Sequence, residues 1–141
     1  MTSNHIRIQF LSKSSNEGFA RVAAASFVSQ ADVTVEQLSD IKTAVSEAVT
    51  NAIVHGYEGL TGYITLDCKY DGKKVYIEVS DSGRGIANID EARTPLYTSK
   101  PDLERSGMGF TVMETFMDKV EVISALGLGT TVKMEKMLTE N

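Results

Sequence analysis

Glu47, Asn51 and His55 recur at four-residue intervals in "SEAVTNAIVHGY", residues 46–57. At 100° per residue, Glu47 and Asn51 fall about 40° apart on one edge of a helix, with His55 one further turn along. Asn is an indifferent helix former, because its amide competes with the backbone for hydrogen bonds. Helix propensity alone therefore does not account for the stripe. Two polar oxygens on one edge of a half-buried helix can hold a hard cation and orient a reacting proton. The same residues also suit a solvated edge on which Asn51 makes a local hydrogen bond. A histidine near a helix C-terminus is itself electrostatically favourable.

Three glycine groups carry the second chemical signal: "DSGRG" (81–85), "RSGMGF" (105–110) and "GLGTT" (127–131). Glycine lets a backbone adopt positive φ and approach a ligand closely. Gly107-Met108-Gly109, opening directly into a helix, would aim free N–H groups at a phosphate. Arg105, just before it, could add charge-assisted hydrogen bonds to the same phosphates. Each segment taken singly also suits an ordinary turn. The dinucleotide fingerprint G-x-G-x-x-G and the P-loop do not occur, nor do the D-F-G and H-R-D motifs of eukaryotic-type kinases. A nucleotide bound by this chain is held by another route.

The elements that must position these residues are legible from periodicity. Residues 5–11, "HIRIQFL", alternate as a half-buried strand does. Ser14 with Glu17, and Thr34 with Gln37, each match a capping box. They open helices over 14–30 and from 34 to about 55, the second stopping at Gly56. Leu38, Ile41, Val45, Ala48 and Ala52 form the core face of the second helix. "GYITLDCKY" (62–70) and "KVYIEVS" (74–80) read as a hairpin. A short helix from 108 to about 117 precedes a second hairpin, "DKVEVISAL" and "TTVKMEKML", joined by "GLG". Strands and helices are partly segregated, which indicates an α+β two-layer sandwich of helices on one antiparallel-rich sheet.

Bulk properties narrow the class. A chain of 141 residues, 42% hydrophobic and 23% charged, fits a single globular domain. No stretch is apolar enough for a membrane helix, and the N-terminus lacks the pattern of a secretory signal. Cys68 is the only cysteine, consistent with a cytoplasmic protein. Together with His5 and His55 it does not make a zinc site. A net charge of −5 argues against a surface built to grip nucleic acid.

Taken in order, Glu47-x-x-x-Asn51, Asp81-x-Gly83-x-Gly85, Gly107-x-Gly109 and Gly127-x-Gly129-Thr130 resemble the N, G1, G2 and G3 boxes of the GHKL ATPase/kinase superfamily. The ATP site of that superfamily is the Bergerat fold. Nearly the whole chain, through "FARVAAASFV", "IKTAVSEAVTNAIVHGY", "ARTPLYTSKPDLERSGMGFTVMETFMD" and "GTTV", resembles the sporulation anti-sigma F factors, which are also serine protein kinases. The related general-stress anti-sigma kinases rank below them, chiefly on the "LERSGMGFTVMETFMD" run. The catalytic domain of a sensor histidine kinase ranks lower still, since no helical hairpin carrying a phosphoacceptor histidine accompanies the boxes. A binding module that uses ATP only to set its shape would have no need of Glu47, and a gyrase-like ATPase would need a transducer domain.

The resemblance implies roles residue by residue. Asn51 would coordinate Mg²⁺ bridging the ATP phosphates, and Glu47 would be the general base for an attacking hydroxyl. Asp81 would accept a hydrogen bond from the adenine amino group, supported by Thr130. Gly83 and Gly85 would let the chain pass close to the base. Gly107 and Gly109 would present N–H groups to the phosphates, and Arg105 would meet the terminal phosphates. Residues 94–106 would form a lid. The resemblance further implies a homodimer that binds a sigma factor and phosphorylates a serine of an anti-anti-sigma protein, with Arg21 and Glu17 on the first helix contacting these partners.

Overall fold

The computed structural model describes residues 3–57, 60–83 and 109–138. Five strands, β1 (Asn4–Leu11), β2 (Tyr63–Tyr70), β3 (Lys74–Asp81), β4 (Lys119–Ala125) and β5 (Gly129–Met137), form one sheet in the order β1-β2-β3-β5-β4. Every neighbouring pair is antiparallel. Among the described residues three α-helices, α1 (Ser15–Val28), α2 (Val35–Asn51) and α3 (Gly109–Phe116), accompany it. This is the expected α+β sandwich. α1 and α2 pack on each other and on the sheet, and α3 packs on α2.

Alternation explains why the sheet has one wet face. Ile64, Leu66, Cys68 and Tyr70 of β2 and Val75, Ile77 and Val79 of β3 point to the helices and are buried. The opposite face is polar and partly charged: the His5 and Arg7 side chains both reach Asp67 Oδ1, at 2.9 and 2.8 Å, and Lys74 pairs with Glu135 at 3.1 Å. Cys68 belongs to the core, and its burial pushes the thiol pKa up to about 12, so it is packing rather than a nucleophile. Of the expected core face, Ile41, Val45 and Ala48 of α2 and Ala52 just past its end are buried, joined by Ala44 and Val49, while Leu38 is only partly buried against the core.

The two capping-box sequences behave differently. Thr34 sits in an extended conformation; its Oγ1 accepts from Gln37 N–H at 3.0 Å while Gln37 Oε1 accepts from Thr34 N–H at 2.9 Å. Gln37 then donates through Nε2 to the Met137 carbonyl at 3.3 Å, fastening the start of α2 to the end of β5. Ser14, by contrast, is already helical (φ −57°, ψ −30°) and its hydroxyl caps nothing. The expected Ser14–Glu17 box does not form, because a helical Ser14 offers Glu17 N–H its carbonyl instead, at 3.2 Å. The first helix accordingly spans Ser15–Val28 rather than 14–30.

The second helix also departs from expectation. Its α-helical part ends at Asn51, and Ala52–Gly56 form a π turn closed by Tyr57 N–H to the Ala52 carbonyl at 3.2 Å. Single π turns of this kind are frequent at functional sites. At the other end of the molecule, Lys136 Nζ donates to the last-turn carbonyl of Phe116 at 2.6 Å and pairs with Asp40 at 3.2 Å. This largely buried cation ties α3 to α2 across β5.

The capping difference has a measurable outcome. Thr34→Ala should lower the unfolding free energy by about 1 kcal/mol in urea titrations, whereas Ser14→Ala should leave it within a few tenths. Equal losses for the two variants would contradict the assignment.

Candidate functional site

The end of α2, the end of β3 and the start of β5 converge on one carboxylate. Asp81 is the last residue of β3 and pairs with Thr130 across the ladder. Its Oδ1 accepts from Gly83 N–H at 2.9 Å, and the backbone N–H of Thr130 also donates to the side chain. Burial raises the carboxyl pKa above the ordinary carboxylate value, and the two N–H donors only partly offset it.

Three glycines make room for this group. A Cβ on Gly56 would lie 2.9 Å from the Asp81 carboxylate, and one on Gly83 would collide with the Gly56 carbonyl oxygen. A Cβ on Gly129 would collide with the Asp81 carbonyl oxygen, and its φ of +88° independently favours glycine. Beside them, Thr130 is buried and its hydroxyl meets that of Ser124 at 2.7 Å; Ser124 also donates to the Gly129 carbonyl at 3.0 Å. Backbone thus walls the carboxylate closely, and this notch presents an acceptor to a group that offers a donor.

Asn51 lies one residue before the π turn that leads to Gly56. Its amide nitrogen and oxygen are both buried, and among the described residues neither has a hydrogen-bond partner. A buried polar group is ordinarily paired, so the orphaned amide marks a position for a ligand. Its oxygen is of the kind a hard cation takes. Glu47 is half-buried on the turn before, and Glu47 and His55 each have interactions of their own within the chain.

The structure thus brings together Asp81, Gly83 and Thr130, and joins Asn51 and Glu47 to them through one helix. Gly109 is the first residue of α3. Gly85, Arg105, Gly107 and the 94–106 segment lie outside the described residues. Glu17 and Arg21 sit apart from the notch on α1, paired at 3.6 Å, with Phe19 and Val22 exposed beside them.

Sequence reasoning treated Gly56 only as a helix stop and passed over Tyr57 and Ser124. "HGY" closing the Asn-bearing helix was the available signal for the first two. Ser124, in an alternating strand, gave none.

Comparison with known proteins identifies the family. Residues 12–136 match the histidine kinase-like ATPase domain family. The anti-sigma F factor of Clostridium kluyveri is 56% identical over 137 residues, covering 97% of this chain and 96% of the relative. That of Clostridium perfringens strain SM101 is 57% identical over 136 residues, covering 96% and 97%. The chain belongs to the anti-sigma F factor family. A structure of the RsbU and RsbW domains of a Mycobacterium tuberculosis protein shares the fold. Its TM-score is 0.71 at 20% identity, over 96% of this chain and 32% of that one. A blue-light activated histidine kinase of Erythrobacter litoralis gives a TM-score of 0.58 at 25% identity, over 76% and 32%. Within the ATPase domain family it belongs to, the chain carries its notch where a strand end meets the end of a helix.

The raised pKa of Asp81 gives a stability prediction with a definite sign. Its folded value lies above the ordinary 3.8, so the ionised carboxylate costs folding free energy. That loss opens as pH rises from 3.8 through the folded pKa and is constant above it. Asp81→Asn, which mimics the protonated form, should therefore melt higher than the wild type at pH 7 and converge with it in acid. An Asp81→Asn protein no more stable at pH 7 would refute the desolvation account.

Proposed function

We propose that the chain is an ATP- and Mg²⁺-dependent serine protein kinase that also binds and inhibits a sigma factor of the sigma F type. Its substrate would be a serine of the anti-anti-sigma antagonist. The observation that carries this reading is Asn51: a buried amide with no partner among the described residues, one turn after Glu47, on the helix whose end reaches the Asp81 carboxylate. Family membership supports it.

Each residue then has a task its chemistry suits. Asp81 accepts from the adenine amino group in the glycine-walled notch, with Thr130 and Ser124 fixing the wall. The orphaned Asn51 oxygen would hold Mg²⁺, which when bound would neutralise phosphate charge. Gly83 and Gly109 would admit the backbone close to base and phosphates; Gly85, Gly107 and Arg105, outside the described residues, keep the roles that the resemblance implies. Glu47 takes the proton from the serine hydroxyl as its oxygen bonds to the γ-phosphorus and ADP departs. Phosphoryl transfer needs little beyond such positioning, charge neutralisation and a base.

The partner surface is proposed on α1. Arg21, held by Glu17 at 3.6 Å, stands between exposed Phe19 and Val22. A charged anchor flanked by apolar side chains is common at protein interfaces. We place the chain in the cytoplasm as a single-domain homodimer. Among the described residues no helix is long and apolar enough to cross a membrane.

The decisive experiment incubates the protein with ATP, Mg²⁺ and a candidate anti-anti-sigma protein and maps phosphate by mass spectrometry. Phosphoserine on the partner is expected; phosphohistidine, or free phosphate alone, would overturn the kinase assignment. Glu47→Ala should bind ATP normally yet transfer about 10²–10⁴-fold more slowly, the usual worth of a general base. Asn51→Ala should lose the Mg²⁺-dependent part of ATP affinity in titrations with and without the metal. The same variant should melt higher when nucleotide-free, because an unpaired buried amide costs about 1–3 kcal/mol.

A further inference from the structure

Tyr57 has no part in the scheme above, yet it links the helix end to the segment that follows Asp81. It follows the π turn directly, so its ring lies where α2 ends. Its hydroxyl donates to the Tyr63 carbonyl at 2.5 Å and accepts from Ser82 N–H at 2.8 Å. Ser82 lies between Asp81 and Gly83, the two residues whose hydrogen bond sets the carboxylate. The ring itself is clamped: a Cβ on Gly62 would collide with Tyr57 Cε1. Gly62 is held in turn, its N–H donating to Ser12 Oγ at 2.9 Å and its carbonyl accepting from Ser12 N–H at 2.8 Å.

One phenol thus joins the helix end, the start of β2 and the segment just past β3. No side chain other than Tyr57 is seen holding Ser82 N–H among the described residues. Without the hydroxyl that donor loses its partner, and the Asp81–Gly83 segment loses its lateral fix.

We propose that Tyr57 is a positioning residue for base selectivity: by holding Ser82 it keeps the Asp81 carboxylate in register to accept from an exocyclic amino group. This rests on the reading of Asp81 as the acceptor for the nucleotide base. A carboxylate so placed favours adenine, which offers an amino donor, over guanine, which presents a carbonyl at the same position. A site built around one hydrogen bond rejects the analogue that lacks it most strongly when its buried group cannot relax. Tyr57 prevents that relaxation.

The test measures ATP and GTP affinities and melting temperature for the full-length wild type, Tyr57→Phe, Gly62→Ala and Asp81→Ala. Tyr57→Phe keeps the clamped ring and deletes only the hydroxyl. Gly62→Ala keeps the hydroxyl but displaces the ring. Both should lower the ATP-to-GTP affinity ratio about 5–10-fold, as expected from one misplaced hydrogen bond, through weaker ATP binding and little change for GTP. The Tyr57→Phe variant should melt close to the wild type. Equal weakening of ATP and GTP, or an unchanged ratio in Tyr57→Phe, would overturn the proposal, since a merely structural role predicts the first and no role the second. Asp81→Ala separates the two failures: if it leaves the ratio unchanged, the reading of Asp81 itself is wrong. If it abolishes the preference while Tyr57→Phe does not, only the role of Tyr57 falls.

Discussion

A carboxylate taken partly out of water at a strand end shapes its whole neighbourhood. Desolvation disfavours the charged form of Asp81, and the N–H donors of Gly83 and Thr130 recover only part of the loss. Such a group persists only where its surroundings are rigid enough to prevent it from swinging into solvent. The rigidity comes from contact at the closest range the backbone allows. Gly56, Gly83 and Gly129, far apart in sequence, each stand where a single methyl group would collide with Asp81 or with the segment beside it.

The rest of the fold supplies that rigidity. β3 lies inside the sheet, between β2 and β5, so the strand that carries Asp81 is hydrogen-bonded on both edges. α2 is fixed at its start by the Thr34 box and by Gln37 to Met137, and along its length by buried Ile41, Val45, Ala48 and Val49. Its last turn can therefore depart from α geometry without the helix losing its seat. The π turn and the orphaned Asn51 amide occur together at that end. Both carry local costs, and both lie beside the notch rather than in the core, the usual distribution when stability is exchanged for function.

Much of this was legible in the sequence, for identifiable reasons. Strict alternation in "YITLDCKY" and "KVYIEVS" fixes which side chains face the helices, and the structure buries those side chains. The core face of α2 followed from its period. Capping was half legible. Ser14-x-x-Glu17 and Thr34-x-x-Gln37 present the same local pattern, but only Thr34 has the extended backbone that points a hydroxyl at the N3 N–H. The backbone at Ser14 depends on how the chain leaves β1 and that at Thr34 on how it leaves α1, which no four-residue window contains. The Glu47–Asn51 edge was visible as a stripe, but an unpaired amide can be recognised only once its neighbours are placed. Gly56 shows the limit most clearly. A glycine ending a helix reads as a stop signal, whereas here its missing side chain matters because Asp81, at the far end of the following hairpin, occupies the space.

The geometry also constrains how the proposed nucleotide site and the proposed partner face can influence one another. Among the described residues α1, which bears Arg21, Phe19 and Val22, packs mainly on α2, and α2 packs on α3 and β3. α2 is thus the element common to both regions, and its far end is the π turn. A ligand shifts an equilibrium only through a difference in its interaction with two states. Two such states would differ most cheaply where the backbone hydrogen bonding is already irregular and a buried amide lacks a partner. A change confined to that end leaves intact the sheet, whose strand pairing is continuous from β1 to β4. Coupling by this route needs no contact between the two sites, only a helix firmly capped at one end and poised at the other.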